Sequence, residues 1–192
     1  MGRTAARQAE RIAVVGSGAW GTTLALVATR ARHEVSLYVR NPDEAHTIQR
    51  TRRNERYLPQ TELPAAVDVT ADLAAACRDA TLILLVVPSQ TVRQNARALA
   101  PLVGNAVVVS AAKGLERESL KRMSEVVEEE LGKAAVAGVC ALSGPNLARE
   151  IAAGKPATSV VASRDLAAAE RARDLLMSPQ FRCYTNEDVI GV

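Results

Sequence analysis

The sequence predicts an α/β fold, with helices on both faces of a doubly wound, mostly parallel sheet. Strand-like and helix-like segments alternate from end to end. The continuous apolar run at 82–87 is typical of a central strand buried on both faces. At 192 residues the chain can bury a substantial core, and its 48% hydrophobic and 23% charged residues are ordinary for a globular protein.

The first half of the chain predicts three strands separated by helices. Val35, Leu37 and Val39 alternate with polar residues, as in a strand. Asn41-Pro42 should open a helix, because proline suits the first helical position. The expected elements are strands at 12–15, 34–40 and 67–69, helices at 22–31, 42–53 and, with Thr70 as its cap, 70–78, and a proline-containing loop at 54–64.

The second half continues the same alternation. Pro88 should end the strand at 82–87, Ser89 should cap the next helix, and Gly132 should end a charged helix. The expected strands are at 82–87, 106–110, 136–142, 159–162 and 181–184, and the expected helices are at 90–100, 120–131, from the turn 143–146 to 153, and 165–177.

A glycine pattern between the first strand and the first helix is the strongest functional signal. Gly16, Gly18 and Gly21 form G-x-G-x-x-G, which indicates dinucleotide binding in this context. Gly16 permits the tight turn, Gly18 lets the backbone approach a pyrophosphate, and Gly21 lets the helix pack closely. The helix N-terminus then offers free N–H groups to phosphates. The pattern favours a Rossmann-like fold over a plain strand–turn–helix unit.

Four chemically marked turns fall at predicted strand ends: 16–21, Arg40-Asn41, Pro88-Ser89 and 111–114. In a parallel sheet all four converge on one rim, where such folds bind ligands. Arg40 stands where NAD-binding folds usually carry an acidic residue for the ribose hydroxyls, and its planar fork suits a 2′-phosphate. The alternative is an exposed arginine beside a cofactor that other groups hold.

Other polar residues allow a functional or a structural interpretation. Lys113, after a buried strand, could polarise a carbonyl or neutralise a phosphate at the rim, or be an ordinary surface lysine. The turn 143–146 precedes a helix and could bind a polar substrate or act as a simple cap. The arginines at 50, 52, 53 and 56 could contact phosphate or form the solvated end of a helix. We interpret His33 and His46 as structural.

Composition narrows the function classes. A net charge of +3 suits a small anionic ligand and does not require nucleic acid, and only 3% aromatic residues leave little base-stacking surface. The three cysteines, Cys77, Cys140 and Cys183, match no metal spacing and indicate core residues in a reducing, cytoplasmic compartment. No apolar run approaches the roughly 18 residues that a membrane span needs. We therefore expect no metal, no nucleic acid and no membrane span.

The domain organisation predicted from the sequence has three parts. Residues 1–10 are polar and should form a flexible tail, and residues 11–185 should form the dinucleotide-binding domain. Asn186-Glu187-Asp188 is typical of a helix start, yet only four residues follow it. We therefore expect 186–192 to begin the connection to a second domain that this chain lacks.

The sequence from Ile12 to Val192 resembles bacterial-type NAD(P)-dependent glycerol-3-phosphate dehydrogenase. Six segments in order carry the resemblance: GSGAWGT at 16–22, NERYLP at 54–59, VVPS at 86–89, AKGLE at 112–116, SGPNLARE at 143–150 and FRCYTNEDVIGV at 181–192.

The resemblance implies interconversion of sn-glycerol 3-phosphate and dihydroxyacetone phosphate, which supplies glycerophospholipid precursors. NAD(P) is the implied cofactor, with NADPH slightly favoured because of Arg40. The cofactor-binding residues would be Gly16, Ser17, Gly18, Ala19, Trp20, Gly21, Arg40, Arg53, Pro88, Lys113 and Ala148. The substrate-binding residues would be Lys113, Gly144 and Asn146.

The resemblance also implies parts that this chain does not contain. The family's acid/base lysine and its helical substrate domain lie beyond Val192, so Lys113 would be an auxiliary catalytic residue, and the full-length protein would be a homodimer. Two alternatives remain: another hydroxyacid or ketopantoate-type reductase, and a non-catalytic NAD(P)-binding or redox-sensing module.

Overall fold

The computed structural model describes residues 9–132 and 137–192. The expectations for most of the tail and for the strand start at 136 lie outside these residues. The strands are β1 (Arg11–Val15), β2 (Glu34–Tyr38), β3 (Arg53–Asn54), β4 (Leu58–Glu62), β5 (Val67–Thr70), β6 (Leu82–Leu85), β7 (Val107–Ser110), β8 (Gly138–Ser143), β9 (Ala157–Ala162) and β10 (Phe181–Asn186). The helices are α1 (Ala19–Arg30), α2 (Pro42–Thr51), α3 (Leu73–Cys77), α4 (Val92–Leu99), α5 (Met123–Leu131), α6 (Ala148–Ala152) and α7 (Leu166–Leu176).

Eight strands form one sheet in the order β10-β9-β8-β7-β6-β1-β2-β5. Val14 at the middle of β1 pairs in parallel with Leu37 of β2 and Leu84 of β6. β8 and β9 pair antiparallel, so β9 and β10 run opposite to the other six strands. The predicted mostly parallel sheet is confirmed, and the carboxyl ends of β1, β2, β6, β7 and β8 share one rim.

Hydrophobic cores lie on both faces of the sheet. Ile12 and Val14 of β1 face a cluster that includes residues of α1, α2, α6 and α7. Ala13 and Val15 face a second cluster with residues of α3, α4 and α5. All four residues of β6 are buried, as expected for a strand covered on both sides. The doubly wound arrangement is therefore confirmed. No helix in 9–132 or 137–192 is long and apolar enough to cross a membrane.

The predicted loop at 54–64 is wrong. β3 and β4 form a separate antiparallel pair there, with Arg53 opposite Glu62. Pro59 lies within β4. A two-stranded ribbon leaves one side of each strand unpaired, so a missing proline N–H costs little. The helix before it ends at Thr51, because Arg52 adopts a left-handed conformation with φ of 58°.

Several predicted helix starts are also corrected. Ser89 begins a 3-10 turn and makes no cap, and α4 starts only at Val92. Asp72, not Thr70, caps α3 by accepting from the Ala75 N–H. The helix expected from 120 begins at Met123, because Leu120 has a left-handed φ of 57°.

The carboxyl-terminal end also differs from the predicted helix start. Asn186 ends β10, and the Asp188 carboxylate accepts from the N–H groups of Ile190 and Gly191 in a turn. The Asp188 side chain thus supports a local turn at the residues where the sequence suggested the first turn of a helix.

Candidate functional site

A cavity of about 500 Å³ lies at the carboxyl ends of β1, β2 and β6. We call it the glycine-turn cavity. Three of the four predicted turns meet there, since its lining includes Gly16, Ser17, Gly18, Arg40, Asn41 and Pro88. The convergence expected of a parallel sheet therefore holds for these three turns.

Each glycine of the glycine turn (16–21) has its own spatial reason. Gly16 has φ of 117°, and a Cβ there would overlap the carbonyl oxygen of Val86. A Cβ on Gly21 would overlap the carbonyl oxygen of Gly16, so helix α1 packs directly on the turn. A Cβ on Gly18 would meet no atom within 4 Å. Gly18 is therefore not required by the protein's own packing, which is the pattern expected where a ligand approaches the backbone.

The first turn of α1 is open toward an anion. Gly18 is the N-cap residue and no side chain caps this end of the helix. The leading N–H groups of a helix lack intrahelical partners and carry partial positive charge. Ala19 is the first helical residue, so the expected phosphate contacts at 16–19 lie together at this helix start.

A buried asparagine supports the glycine turn, a role that no pattern in the sequence indicates. Asn54 is 1% exposed. Its Nδ2 donates to the carbonyl oxygen of Ser17 and to Oγ1 of Thr22, both at 2.8 Å. Its Oδ1 accepts from the N–H of Tyr57 at 3.3 Å. An asparagine between charged residues gives no sign of burial, so only the folded hairpin identifies this contact.

The arginines that line the glycine-turn cavity are not all the ones that the sequence suggested. Arg40 and Arg56 line the glycine-turn cavity, and the Arg56 guanidinium carbon lies 5.1 Å from the centroid of the Tyr57 ring. Arg53 does not line it; its guanidinium lies 3.9 Å from Glu62 across the hairpin. Since helix α2 has already ended, Arg53 belongs to β3. Arg56 thus occupies the region where the sequence suggested Arg53.

Two further charged residues have different roles here: Arg52 holds the hairpin in place, and Glu44 belongs to the cavity lining. Arg52 donates to the carbonyl oxygens of Leu63 and Val67, at 3.3 and 2.6 Å, and so fastens the hairpin to β5. Glu44 also lines the glycine-turn cavity, beside the two arginines. The lining therefore carries a net positive charge that suits a phosphorylated ligand.

A second cavity of about 250 Å³, the Lys113 cavity, lies beside the first turn of α1. It is lined by Trp20, Ala111, Lys113, Leu142, Ser143 and Asn146. Lys113 Nζ donates to the carbonyl oxygen of Gly144 at 3.2 Å. The fourth predicted turn therefore lies on the same rim of the sheet without lining the glycine-turn cavity, and it meets the turn 143–146 there.

The turn 143–146 packs tightly against β9. A Cβ on Gly144 would lie 2.8 Å from the carbonyl oxygen of Thr158, which excludes larger residues. Asn146 Nδ2 donates to Ser159 Oγ at 2.7 Å. Its buried Oδ1 has no hydrogen-bond partner among the described residues. Asn146 lines the Lys113 cavity, and its unpartnered acceptor is one that a bound polar group would satisfy at a gain, since a buried acceptor without a donor is costly.

Side chains of Gln90 and Arg93 hold the loop that follows Lys113. Arg93 makes a bidentate contact with Glu116, at 2.8 and 2.7 Å. Gln90 donates to the carbonyl oxygen of Leu115 at 2.9 Å and accepts from the N–H of Arg117 at 3.1 Å. The Arg93 guanidinium, with help from the Ser119 hydroxyl, lowers the pKa of Glu116 to about 2.

The remaining residues that the sequence singled out are Ala148 at the start of α6, His33 after α1 and His46 on α2. Ala148 starts α6, and its carbonyl oxygen accepts from Thr23 Oγ1 at 3.1 Å. Ala148 lines neither cavity. His33 is buried, with Nδ1 accepting from the N–H of Glu10, and His46 is exposed. The structural interpretation of both histidines fits these positions.

The cysteines are free and buried. Burial raises the pKa of the Cys77 thiol to about 11 and those of Cys140 and Cys183 to about 12. Such thiols are poor nucleophiles and poor metal ligands at neutral pH. Within the described ranges no three His, Cys, Asp or Glu side chains cluster as a metal site would need.

Comparison with known proteins gives a consistent family. The family described as "NAD-dependent glycerol-3-phosphate dehydrogenase N-terminus" matches residues 11–169. The chain is 47% identical over 185 residues to "Glycerol-3-phosphate dehydrogenase [NAD(P)+]" of Moorella thermoacetica, covering 95% of this chain and 54% of that protein. It is 44% identical to the protein of the same name from Corynebacterium jeikeium, covering 94% and 54%. The chain thus spans about half the length of these curated relatives.

Solved structures agree on the fold. A crystal structure of glycerol-3-phosphate dehydrogenase from Coxiella burnetii matches with a TM-score of 0.87 and 35% identity, over 95% of this chain and 55% of that one. A ketopantoate reductase from Ralstonia eutropha matches with a TM-score of 0.69 and 21% identity, over 93% and 57%. The second likeness concerns the fold alone.

Proposed function

The chain belongs to the family of NAD-dependent glycerol-3-phosphate dehydrogenase N-terminal domains, and we propose that its glycine-turn cavity holds NAD(P)(H). The observation that carries this proposal is the open space at Gly18 beside an uncapped helix start. The residues present fit the cofactor, because a pyrophosphate needs N–H donors with no Cβ in the way.

We assign the cofactor contacts by position. The backbone at 16–19 would hold the pyrophosphate, and Gly21 would shape the turn by its packing on Gly16. Pro88 lines the glycine-turn cavity, whereas Trp20 and Lys113 line the neighbouring cavity. Ala148 stays a proposed contact at the start of α6. Arg53 is left out of this assignment, because it lies outside the cavity.

We propose that NADPH is favoured over NADH. Arg40 follows β2, at the position that reads the adenosine ribose in this fold. Arg56 lies in the same cavity, and two guanidiniums can share the charge of a 2′-phosphate. An arginine cannot accept a hydrogen bond from ribose hydroxyls, so the gain applies to the phosphorylated cofactor.

For the complete protein we propose interconversion of sn-glycerol 3-phosphate and dihydroxyacetone phosphate, in the supply of glycerophospholipid precursors. When bound, the nicotinamide would donate or accept the hydride. Lys113 would neutralise or polarise the substrate, while Gly144 and Asn146 would complete its contacts. The acid/base lysine of the family would follow Val192, so Lys113 keeps an auxiliary role.

The organisation of the complete protein belongs to the same proposal. Residues 11–185 would form the cofactor domain, and 186–192 would begin the connection to a helical substrate domain. The complete protein would be a cytoplasmic homodimer. Residues 1–192 alone should bind the cofactor and turn over no substrate, because they lack the positioned acid/base group and the wall that excludes water.

The direct test is an NADPH and NADH oxidation assay with dihydroxyacetone phosphate on the full-length gene product. We expect oxidation that requires this substrate. Reduction of ketopantoate or another keto acid instead would favour the alternative reductase. Cofactor binding without turnover of any of these substrates would favour a non-catalytic module. Turnover by residues 1–192 at the full-length rate would place the acid within this chain.

A further inference from the structure

Asn54 connects two walls of the glycine-turn cavity without lining it. It lies at the end of β3, outside the main sheet, and is 1% exposed. The two ends of its amide contact different walls. Nδ2 donates to the glycine turn, and Oδ1 accepts from Tyr57. A buried side chain whose polar atoms are all hydrogen-bonded in this way is held in a single orientation.

On the glycine-turn side the contacts form a closed ring of three groups. Asn54 Nδ2 donates one proton to the Ser17 oxygen and the other to Thr22 Oγ1. Thr22 Oγ1 in turn donates to the Ser17 oxygen at 3.3 Å. Thr22 is itself 1% exposed, so the two side chains of this ring are both shielded from water.

The ring determines the direction of one peptide plane. The Ser17 carbonyl and the Gly18 N–H belong to the same peptide, and no cis peptide occurs among the described residues. In a planar trans peptide these two groups point in opposite directions. Holding the Ser17 oxygen toward Asn54 therefore turns the Gly18 N–H away from the hairpin and limits its rotation.

We propose that Asn54 is a positioning residue that orients the Ser17–Gly18 peptide for the cofactor pyrophosphate. This inference rests on the proposed cofactor site. The Tyr57 N–H donates to Oδ1 of the same side chain, and this contact anchors the amide in the hairpin with its Nδ2 toward Ser17. The hairpin that the sequence did not predict thus serves to support the phosphate-binding turn.

The test compares two ligands on residues 1–192. ADP-ribose contains the pyrophosphate, whereas 2′-AMP carries only the adenosine and the 2′-phosphate. We expect Asn54→Ala to weaken ADP-ribose binding about tenfold, because the Ser17–Gly18 peptide loses both a hydrogen bond and its fixed orientation. The affinity for 2′-AMP should change less than about twofold, and the Gly18 amide resonance should shift in a ¹H–¹⁵N spectrum.

Ser163→Ala is the matched control. Ser163 is buried, its Oγ donates to the Val139 carbonyl at 2.7 Å, and neither residue lines either cavity. It should lower stability and leave both affinities unchanged. If Asn54→Ala does not fold, Thr22→Val removes two of the three hydrogen bonds of the ring, keeps the Ser17 and Tyr57 contacts of Asn54, and should weaken ADP-ribose binding in the same direction.

The outcomes separate the two proposals. If wild-type residues 1–192 bind neither ligand, the proposed cofactor site fails, and the role of Asn54 fails with it. If wild type binds ADP-ribose and the Asn54 or Thr22 variant binds it equally well, only the positioning role is overturned. Equal weakening of ADP-ribose and 2′-AMP would likewise overturn it, because a general loss of structure does not distinguish the ligands.

Discussion

Lys113 Nζ donates a hydrogen bond to the carbonyl oxygen of Gly144, 3.2 Å away. The contact joins the turn after β7 to the turn after β8, two neighbouring parallel strands. The ammonium group is thereby held at the edge of a cavity that Asn146 and Trp20 also line. The sheet thus brings together Lys113 and Gly144, which the sequence suggested as substrate contacts on two separate turns.

Lys113→Met in the full-length protein should lower kcat/KM for dihydroxyacetone phosphate by about 100-fold or more, because a positioned charge acts strongly in a closed site. NADPH affinity should fall much less. Steady-state kinetics and a separate binding titration measure both. Lys155→Met is the control, since Lys155 pairs with Glu150 on the surface and should affect neither value. An equal change of kcat/KM in the two variants would show that Lys113 does not belong to the substrate site.

Arg40→Ala should weaken NADPH by roughly tenfold or more and NADH by much less, because a charge-assisted contact is worth about 1.5–3 kcal/mol. Calorimetric titration of residues 1–192 with each cofactor provides the comparison. Arg53→Ala is the matched control, since Arg53 lies outside the glycine-turn cavity, and it should leave both affinities nearly unchanged. A parallel loss for NADPH and NADH would show that Arg40 does not read the 2′-phosphate.

Gly21→Ala should destabilise the domain by more than about 2 kcal/mol, because the new methyl group overlaps the Gly16 carbonyl oxygen. Gly18→Ala should change stability little, since its Cβ meets no atom within 4 Å. Urea unfolding of the two variants beside wild type measures the difference. Similar stabilities for both would contradict the close packing of α1 on the turn.

The Arg93–Glu116 contact predicts a pH-dependent contribution to stability. The folded-state pKa of Glu116 is lowered to about 2 from an ordinary 4.5, chiefly by Arg93. Its contribution is therefore complete above about pH 4.5 and is lost as the pH falls toward 2. Arg93→Met, which also removes the contacts of Arg93 with Glu129 and Glu130, should be less stable than wild type at neutral pH, and the difference in stability should narrow on acidification.

Denaturant titrations of wild type and Arg93→Met at pH values spanning this range test the sign. Arg50→Met, which changes an exposed arginine on α2, serves as the control and should show no such narrowing. A difference in stability that stays constant down to the lowest pH would mean that neither Glu116 nor the other carboxylates paired with Arg93 carry the effect.

The sequence predicted the main sheet because local residue patterns identify its strands. The strands at 82–87 and 34–40 can be recognised from neighbouring residues alone, by an apolar run and by alternating polarity. The hairpin was missed because β4 contains a proline and mostly polar residues, and only pairing across the turn makes it a strand. Strand pairing of this kind is not encoded in composition.

The site shows the same division. The glycine turn, Arg40 and Lys113 follow from their positions after strands, so they could be predicted. Arg53 and Arg56 could not be distinguished, because their directions depend on the left-handed Arg52 that ends the helix. The role of Asn54 depends on contacts with Ser17 and Thr22, more than thirty residues away in the sequence.

The most direct measurement of the central claim is an NADPH titration of residues 1–192 followed by the emission of Trp20. Trp20 is the single tryptophan of the chain and lies in the first turn of α1. We expect saturable quenching in wild type and none in Gly18→Val, whose side chain fills the open space while its circular dichroism spectrum stays unchanged. No saturable quenching in wild type, or equal affinity in the folded Gly18→Val variant, would contradict a cofactor site at the glycine turn.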